Sequence, residues 1–241
     1  MTPDRRIALV TGGNRGIGFA TCKLLAEKGI GVILTSRLKD EGKEAVAKLR
    51  DMGHDIDFHK LDVTSHEDIQ SIEKFIRDKY SRLDILINNA GVMLDEEPPG
   101  SGMPSIFDTS PDILRDTMEV NVYGPLRLIL TFVPLMKENN YGRIVNVSSK
   151  MGQLSGMGPG WPGYRTSKTA LNALTRIFAS ELSNANIKVN SVHPGWVRTR
   201  MGGKGATRSI EEGARSVIWP ALIDDDGPTG GFFLDGNPFE W

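Results

Sequence analysis

The 241-residue sequence contains one cysteine, Cys22, which excludes an internal disulfide and any metal or iron–sulfur centre built from several thiolates. A lone thiol suits a reducing compartment, and a cytoplasmic location is expected. Excess charge is missing too: 29 lysines and arginines face 30 aspartates and glutamates, for a net charge of −1. Such a chain has no broad positive field with which to hold nucleic acid or an anionic membrane. Long hydrophobic runs are absent. The most apolar stretch, 125–136, carries Arg127 and two prolines and falls short of the roughly 20 residues that span a bilayer. Residues 1–6 are polar and lead directly into Ile7-Ala8-Leu9-Val10, so no signal peptide is expected. No repeat and no low-complexity tract interrupts the chain. The four histidines, His54, His59, His66 and His193, share no ligand spacing, and no metal is expected. Glycine, by contrast, is plentiful: 27 residues, above the usual share of about 7%.

With 39% hydrophobic and 24% charged residues, the chain reads as one soluble domain spanning 1–241. Short apolar runs, many β-branched, alternate with segments of helical period. Strands are expected at 7–10, 31–35, 56–60, 85–88, 143–147, 188–192 and 231–234, with helices over 17–28, 39–52, 111–136 and 164–182 among those between them. That alternation implies βαβ units and a parallel sheet. Near-continuous apolar strands such as Ile85-Leu86-Ile87 suit a sheet covered on both faces. The expected fold is α/β, a single-domain, three-layer, doubly wound Rossmann architecture with a mainly parallel sheet of about seven strands. Helix starts are marked by Ser65 three residues before Asp68, by Ser110 before Pro111, and by Ser209 three residues before Glu212. The Pro/Gly/acidic stretch 95–109 reads as a long loop.

Directly after the first strand stands Thr11-Gly12-Gly13-Asn14-Arg15-Gly16-Ile17-Gly18, opening a helix. Gly12 allows a tight turn off the strand, Gly16 lets backbone approach a pyrophosphate, and Gly18 lets the helix pack against the sheet, with the helix N-terminus favouring the anion. At the end of the second strand, where an acidic side chain would meet a ribose 2′-hydroxyl, the sequence has Ser36 followed by Arg37. Arg37 and Arg15 can form charge-assisted bonds to a 2′-phosphate. NADP(H) is the expected cofactor.

These motifs resemble those of the short-chain dehydrogenase/reductase family, and the resemblance runs from Ile7 to about Gly236. The glycine loop 11–18 has the family's TGxxxGxG form. Asp62, followed by Val63, matches its adenine contact, and Asn88-Asn89-Ala90-Gly91 its NNAG segment. Pro194-Gly195 with Val197 and Thr199 matches the loop on the nicotinamide side, while Asn121, Ser149, Tyr164 and Lys168 match the catalytic tetrad. The resemblance implies cofactor contacts from Gly12, Asn14, Arg15, Gly16, Ile17, Gly18, Arg37, Asp62, Val63, Asn89, Ala90, Gly91, Tyr164, Lys168, Pro194, Gly195, Val197 and Thr199. Residues 143–149 and 230–236 look most like the carbonyl reductase branch.

Tyr164 and Lys168 are four residues apart at the start of a helix and so project from one face. A free tyrosine ionises near pH ~10; a neighbouring ammonium and an oxidised nicotinamide both favour the tyrosinate, making the phenol a usable acid or base. In the reduction that the resemblance implies, Tyr164 protonates the developing alkoxide, Ser149 donates a hydrogen bond to the carbonyl oxygen, and Lys168 also binds the nicotinamide ribose. Ser149, rather than Ser148, fits the motif. It precedes Tyr164 by fifteen residues, so the loop between them must bulge. Pro125 lies four residues after Asn121 and lacks the N–H that would bond its carbonyl; a bend is expected there, with the freed carbonyl holding a water that leads to Lys168.

Two loops, 150–163 and 196–208, should frame the substrate. Met151, Leu154, Met157, Trp161, Trp196 and Met201, with Met93 nearby, are large and adaptable and suit a hydrophobic ketone or aldehyde. Gly202, Gly203 and Gly205 make the second loop a candidate lid. Thirteen of the 27 glycines lie in 11–18, 151–163 and 195–205. The carboxylates Glu96-Glu97 and Asp224-Asp225-Asp226 read as solvated charge. The expected activity is NADPH-dependent reduction of hydrophobic carbonyls; the alternatives are reduction of a 3-oxoacyl group on a carrier protein and NADP sensing without chemistry. Pairing into a homodimer or homotetramer through the helices at Pro111 and Tyr164 stays open.

Overall fold

The computed structural model describes residues 5–95 and 103–241; Glu96-Glu97 lies outside the described residues. Eight strands, β1 (Ile7–Val10), β2 (Gly31–Ser36), β3 (Ile56–Lys60), β4 (Ile85–Asn88), β5 (Gly142–Val147), β6 (Ile187–Val192), β7 (Phe232–Leu234) and β8 (Asn237–Pro238), form one sheet in the order β3-β2-β1-β4-β5-β6-β7-β8. All neighbours are parallel except β7 and β8. Chain order reverses between β1 and β4, so the crevice beyond their carboxyl ends is where such a sheet accepts a ligand.

Strand periodicity divides the core in two. Leu9, Ile33, Leu86, Ile144 and Val189 point to one face, covered by α3 (His66–Tyr80), α5 (Gly124–Glu138) and the end of α6 (Pro162–Glu181). Ala8, Val10, Val32, Leu34, Ile87 and Val145 point to the other, covered by α1 (Gly16–Glu27), α2 (Lys39–Asp51) and α7 (Ile210–Ile218). Fully buried anchors such as Phe132 and Leu25 each contribute roughly 1.5–3 kcal/mol. Cys22 is among these core residues; burial pushes its thiol pKa up, leaving an inert packing group.

The three serine caps are in place: Ser65 accepts from the Asp68 N–H, Ser110 from that of Asp112, with Pro111 opening α4 (Pro111–Met118), and Ser209 forms a reciprocal box with Glu212. The helix expected over 111–136 is interrupted. Between α4 and α5 lies one wide turn, Glu119–Tyr123, in which the Gly124 N–H bonds the Glu119 carbonyl five residues back. Pro125 cannot supply the bond due four residues after Asn121, and the wider turn absorbs the break.

Two features differ from the sequence reading. The eighth strand returns through a two-residue turn in which Asp235 and Gly236 both have positive φ, 51° and 80°. Asp-Gly is a recognised signal for that turn, but the strand it introduces is two residues long. Asp225 is not simply solvated charge: it pairs at 2.7 Å with Arg143, whose side chain is fully buried and also donates to the Ile223 carbonyl.

Candidate active site

The glycine loop is held by backbone bonds and by the side chains of Thr11 and Asn89. The Gly13 N–H donates to the Thr35 carbonyl at 2.8 Å, and the Thr11 hydroxyl accepts from the N–H groups of Asn89 and Ala90 at 3.0 and 2.9 Å. The Asn89 amide donates back to the carbonyls of Thr11 and Gly12, so the segment after β4 and the loop after β1 form one unit. A Cβ on Gly18 would lie 2.3 Å from the Gly12 carbonyl oxygen; only glycine lets α1 come this close. Gly16, at φ +54°, faces the Thr199 methyl, which a Cβ there would meet at 3.4 Å. Residues nearly two hundred positions apart in sequence thus border the same cradle. Gly195 also has positive φ, and a Cβ on it would strike the Arg208 side chain.

These residues fit a phosphorylated dinucleotide. Arg15 and Arg37 are exposed and form no ion pair among the described residues. The Ser36 hydroxyl turns to the Leu38 carbonyl at 2.6 Å, so no acid occupies the end of β2. Asn14 donates to Glu41 at 2.6 Å. Asp62 accepts from the N–H and hydroxyl of Thr64, forming the turn into α3, while Val63 packs against Gly124. Ile17 and Val197 close around Gly213 of α7.

Tyr164 and Lys168 share one face of α6 and are both buried, at 8% and 4% exposure. The helix is tied to the sheet by a buried chain of side-chain bonds: Asn88 to Asn146 at 2.8 Å, Asn146 to Thr175 at 2.9 Å, and Thr175 with Ser191 at 2.8 Å. The Lys168 ammonium donates to the Val147 carbonyl at 2.9 Å and lies 5.5 Å from the centroid of the Tyr164 ring. Ser149 lies near enough to the Tyr164 phenol to ease its ionisation while its hydroxyl accepts from the Met151 N–H at 3.1 Å, whereas Ser148 points to the Lys168 carbonyl. The Asn121 side chain accepts from the Val92 N–H and donates to its carbonyl, both at 2.8 Å. It also donates to Ser167, which donates to the Tyr164 carbonyl. Gly91 fits between Asn121 and the Lys168 ammonium. All four tetrad residues are therefore in one cluster.

Burial disfavours charge on both Tyr164 and Lys168. It pushes the Tyr164 phenol up to about 12, against the easing effect of nearby Ser149, and draws Lys168 down to about 8. The protein alone thus keeps the phenol protonated at neutral pH.

The loop before α6 begins with a short helical turn, Lys150–Gly152, whose Gly152 rests on the Lys168 backbone, and ends at Trp161 with φ 49°. The second loop is pinned at its base by bonds of 2.9 Å between Arg208 N–H and Trp196 carbonyl and between Arg198 N–H and Arg208 carbonyl. Within it the Trp196 indole donates to the Gly202 carbonyl at 2.8 Å. Met157, Trp196 and Met201 are exposed, while Met93, Met151 and Trp161 are half-buried. Sequence reading missed Met103, Ile106 and Phe107, which are exposed in a stretch read only as a polar loop; Met103 meets Gly160, and the Pro104 carbonyl accepts from the Trp161 N–H. It also missed Asp95, whose partners lie 68 and 69 residues away. A cleft of about 520 Å³ beside Lys28, Trp219 and Asp224 holds none of the expected site residues. Among the described residues no three His, Cys, Asp or Glu side chains gather as a metal site, and no helix is long and apolar enough to cross a membrane.

Residues 6–209 match the family model for short chain dehydrogenase. The chain is 33% identical to (+)-neomenthol dehydrogenase of Capsicum annuum over 96% of each chain, and 34% identical to carbonyl reductase [NADPH] 1 of Oryctolagus cuniculus over the full length of both. The solved structure of salutaridine reductase from Papaver somniferum superposes with a TM-score of 0.83 at 33% identity, covering 96% of this chain and all of that one. A glycine-built cradle, a buried tyrosine–lysine face and matches of this extent place the chain in the short-chain dehydrogenase/reductase family, in its carbonyl reductase branch.

Proposed function

We propose that the protein reduces the carbonyl group of hydrophobic ketones or aldehydes to alcohols, with Tyr164 as the general acid. The enzyme is an NADP-dependent short-chain oxidoreductase, and when bound the reduced nicotinamide supplies the hydride. The observation that carries the reading is the grouping of buried Tyr164 and Lys168 with half-buried Ser149 beside the Gly91 end of the cradle.

Ser149 orients the phenol and donates to the substrate oxygen, and Tyr164 delivers a proton as negative charge grows there. Lys168, held by the Val147 carbonyl, favours ionised Tyr164 once the proton has left and binds the nicotinamide ribose. Arg15 and Arg37 take the 2′-phosphate, and Thr199 meets the cofactor beside Gly16. Asn121 holds the segment after β4 through Val92 and relays a water toward Lys168. The adaptable side chains of Met157, Trp196 and Met201 receive the apolar body of the substrate. Leu130 of α5 and Ile177 of α6 are exposed apolar side chains, which supports subunit pairing through the outer helices.

The test follows loss of NADPH absorbance against aldehydes, aryl ketones, quinones and acyl thioesters. Turnover of the first three classes is expected, with Tyr164→Phe slower by about 10³-fold. Turnover of acyl thioesters alone would assign a carrier-protein reductase. Tight NADPH binding without turnover of any class would assign a sensor.

A further inference from the structure

The N-terminus of α6 is capped from a distance. Trp161, the residue before the helix, is left-handed and supplies no side-chain cap, and Pro162 has no N–H to offer. The next two N–H groups belong to Gly163 and Tyr164. Each donates to a different oxygen of Asp95, at 2.7 and 2.8 Å. Asp95 is 4% exposed and lies four residues beyond Gly91. By contrast, α3, α4 and α7 are capped by the serine immediately before them.

Gly163 makes this arrangement possible. A Cβ there would lie 2.9 Å from the Asp95 oxygen and 3.3 Å from the Thr117 hydroxyl, so any side chain would displace the carboxylate. Alanine is otherwise the better helix former, which makes the glycine a local cost with a long-range return. The segment that carries Asp95 is also fixed at Val92 by both ends of the Asn121 amide. It therefore couples the wide turn of Asn121 to the first turn of the catalytic helix.

We propose that Asp95, seated in the space left by Gly163, is a positioning residue that fixes the register of Tyr164 against Ser149. This rests on Tyr164 acting as the proton donor. The carboxylate grips the backbone N–H of Tyr164 itself, so releasing it frees the first turn of α6 while leaving the glycine loop and Arg37 untouched.

The experiment compares Asp95→Ala, Asp95→Asn and Gly163→Ala in the full-length enzyme, using kcat per folded protein, the pH dependence of kcat/KM, and NADPH affinity from quenching of protein fluorescence. Asp95→Ala and Gly163→Ala should each lower kcat by about 10²-fold, the scale of a displaced reacting group, with NADPH affinity kept within about twofold of the original. Asp95→Asn, which keeps one of the two acceptor oxygens and sets an NH2 against the other N–H, should fall between them and the parent. In Gly163→Ala the alkaline fall of kcat/KM should move to higher pH, because Tyr164 shifts away from Ser149, which eases its ionisation. A purely structural cap would lower the melting temperature and leave kcat per folded protein and the pH profile unchanged; that result overturns the proposal. Tyr164→Phe, run alongside, separates the two readings. If it is inactive while Gly163→Ala is normal, the positioning role alone fails; if Tyr164→Phe stays active, the proton-donor reading fails and the positioning role with it.

Discussion

At the carboxyl edge of the sheet, the glycine cradle and the proposed substrate rim are made of different materials. The cradle is backbone: Gly12, Gly13, Gly16 and Gly18, laced to Asn89 and Ala90 through the Asn89 amide and the Thr11 hydroxyl, with no room for a Cβ at Gly13 or Gly18 and positive φ at Gly12 and Gly16. The rim is side chain: Met157, Trp196 and Met201 stand in solvent on loops, the second closed by its own bonds and the first tied to Trp241 and Pro104. A phosphate-bearing cofactor needs fixed N–H donors and a close approach, which backbone provides and a Cβ would block. Hydrophobic substrates of varied outline need surface that can repack. The difference predicts where substitution is fatal and where it only tunes.

The cradle should break first. Gly18→Ala drives a Cβ into the Gly12 carbonyl and the Asn89 amide, neither of which can move without dismantling the loop. A loss of about 3 kcal/mol, at the upper end for overpacking, is expected in NADPH affinity and stability, measured by fluorescence titration and thermal melts.

His193 tests the junction between the two regions, since its ring accepts from the Gly195 N–H at the base of the second loop. Burial, reinforced by Arg208 and Lys150, lowers it from 6.5 to about 4. The unfolded chain therefore takes up a proton before the folded protein does. Its contribution is complete above pH 6.5 and is lost as the pH falls through 4, a change of about 3 kcal/mol. Denaturant melts should show that decline, and in His193→Asn, which retains an acceptor for Gly195 but no titrating ring, it should flatten.

Arg37 is the cradle's exposed side-chain component and should sharpen the comparison. Arg37→Ala removes charge-assisted bonds to the 2′-phosphate, about 2 kcal/mol, weakening NADPH by roughly 30-fold while leaving NADH unchanged. Equal effects on both cofactors would show that Arg37 does not read the phosphate.

The smallest effect belongs to the rim. Trp196→Ala should alter KM for bulky ketones by about 1 kcal/mol or less, with kcat and NADPH affinity preserved, as steady-state kinetics can check. A loss as large as that of Gly18→Ala would mean that the second loop is part of the cradle.

Much of this division was readable in the sequence because it rests on neighbours along the chain. The Thr11–Gly18 pattern, the serine caps at 65, 110 and 209, and the four-residue step from Tyr164 to Lys168 are short-range geometry. The bend at Asn121 followed from Pro125 alone, although its form as one wide turn depended on the surrounding packing. The last strand escaped notice because two residues leave no periodicity to detect. Arg143 and Asp225, 82 residues apart, show nothing in their local sequence that predicts a buried guanidinium meeting an exposed carboxylate.

Asp95 marks the boundary most sharply. Its neighbours in sequence make it one acid at the start of a polar loop, and no period or spacing connects it with residues 163 and 164. Periodicity and motif order were sufficient for the fold class and the glycine motif, which depend on neighbours along the chain, and the family resemblance named the candidate reacting groups. The alignment of those groups was not readable in the sequence, because it depends on distant segments brought together by the sheet: Thr199 to Gly16, Val92 to Asn121, and a carboxylate after β4 to the first turn of the catalytic helix.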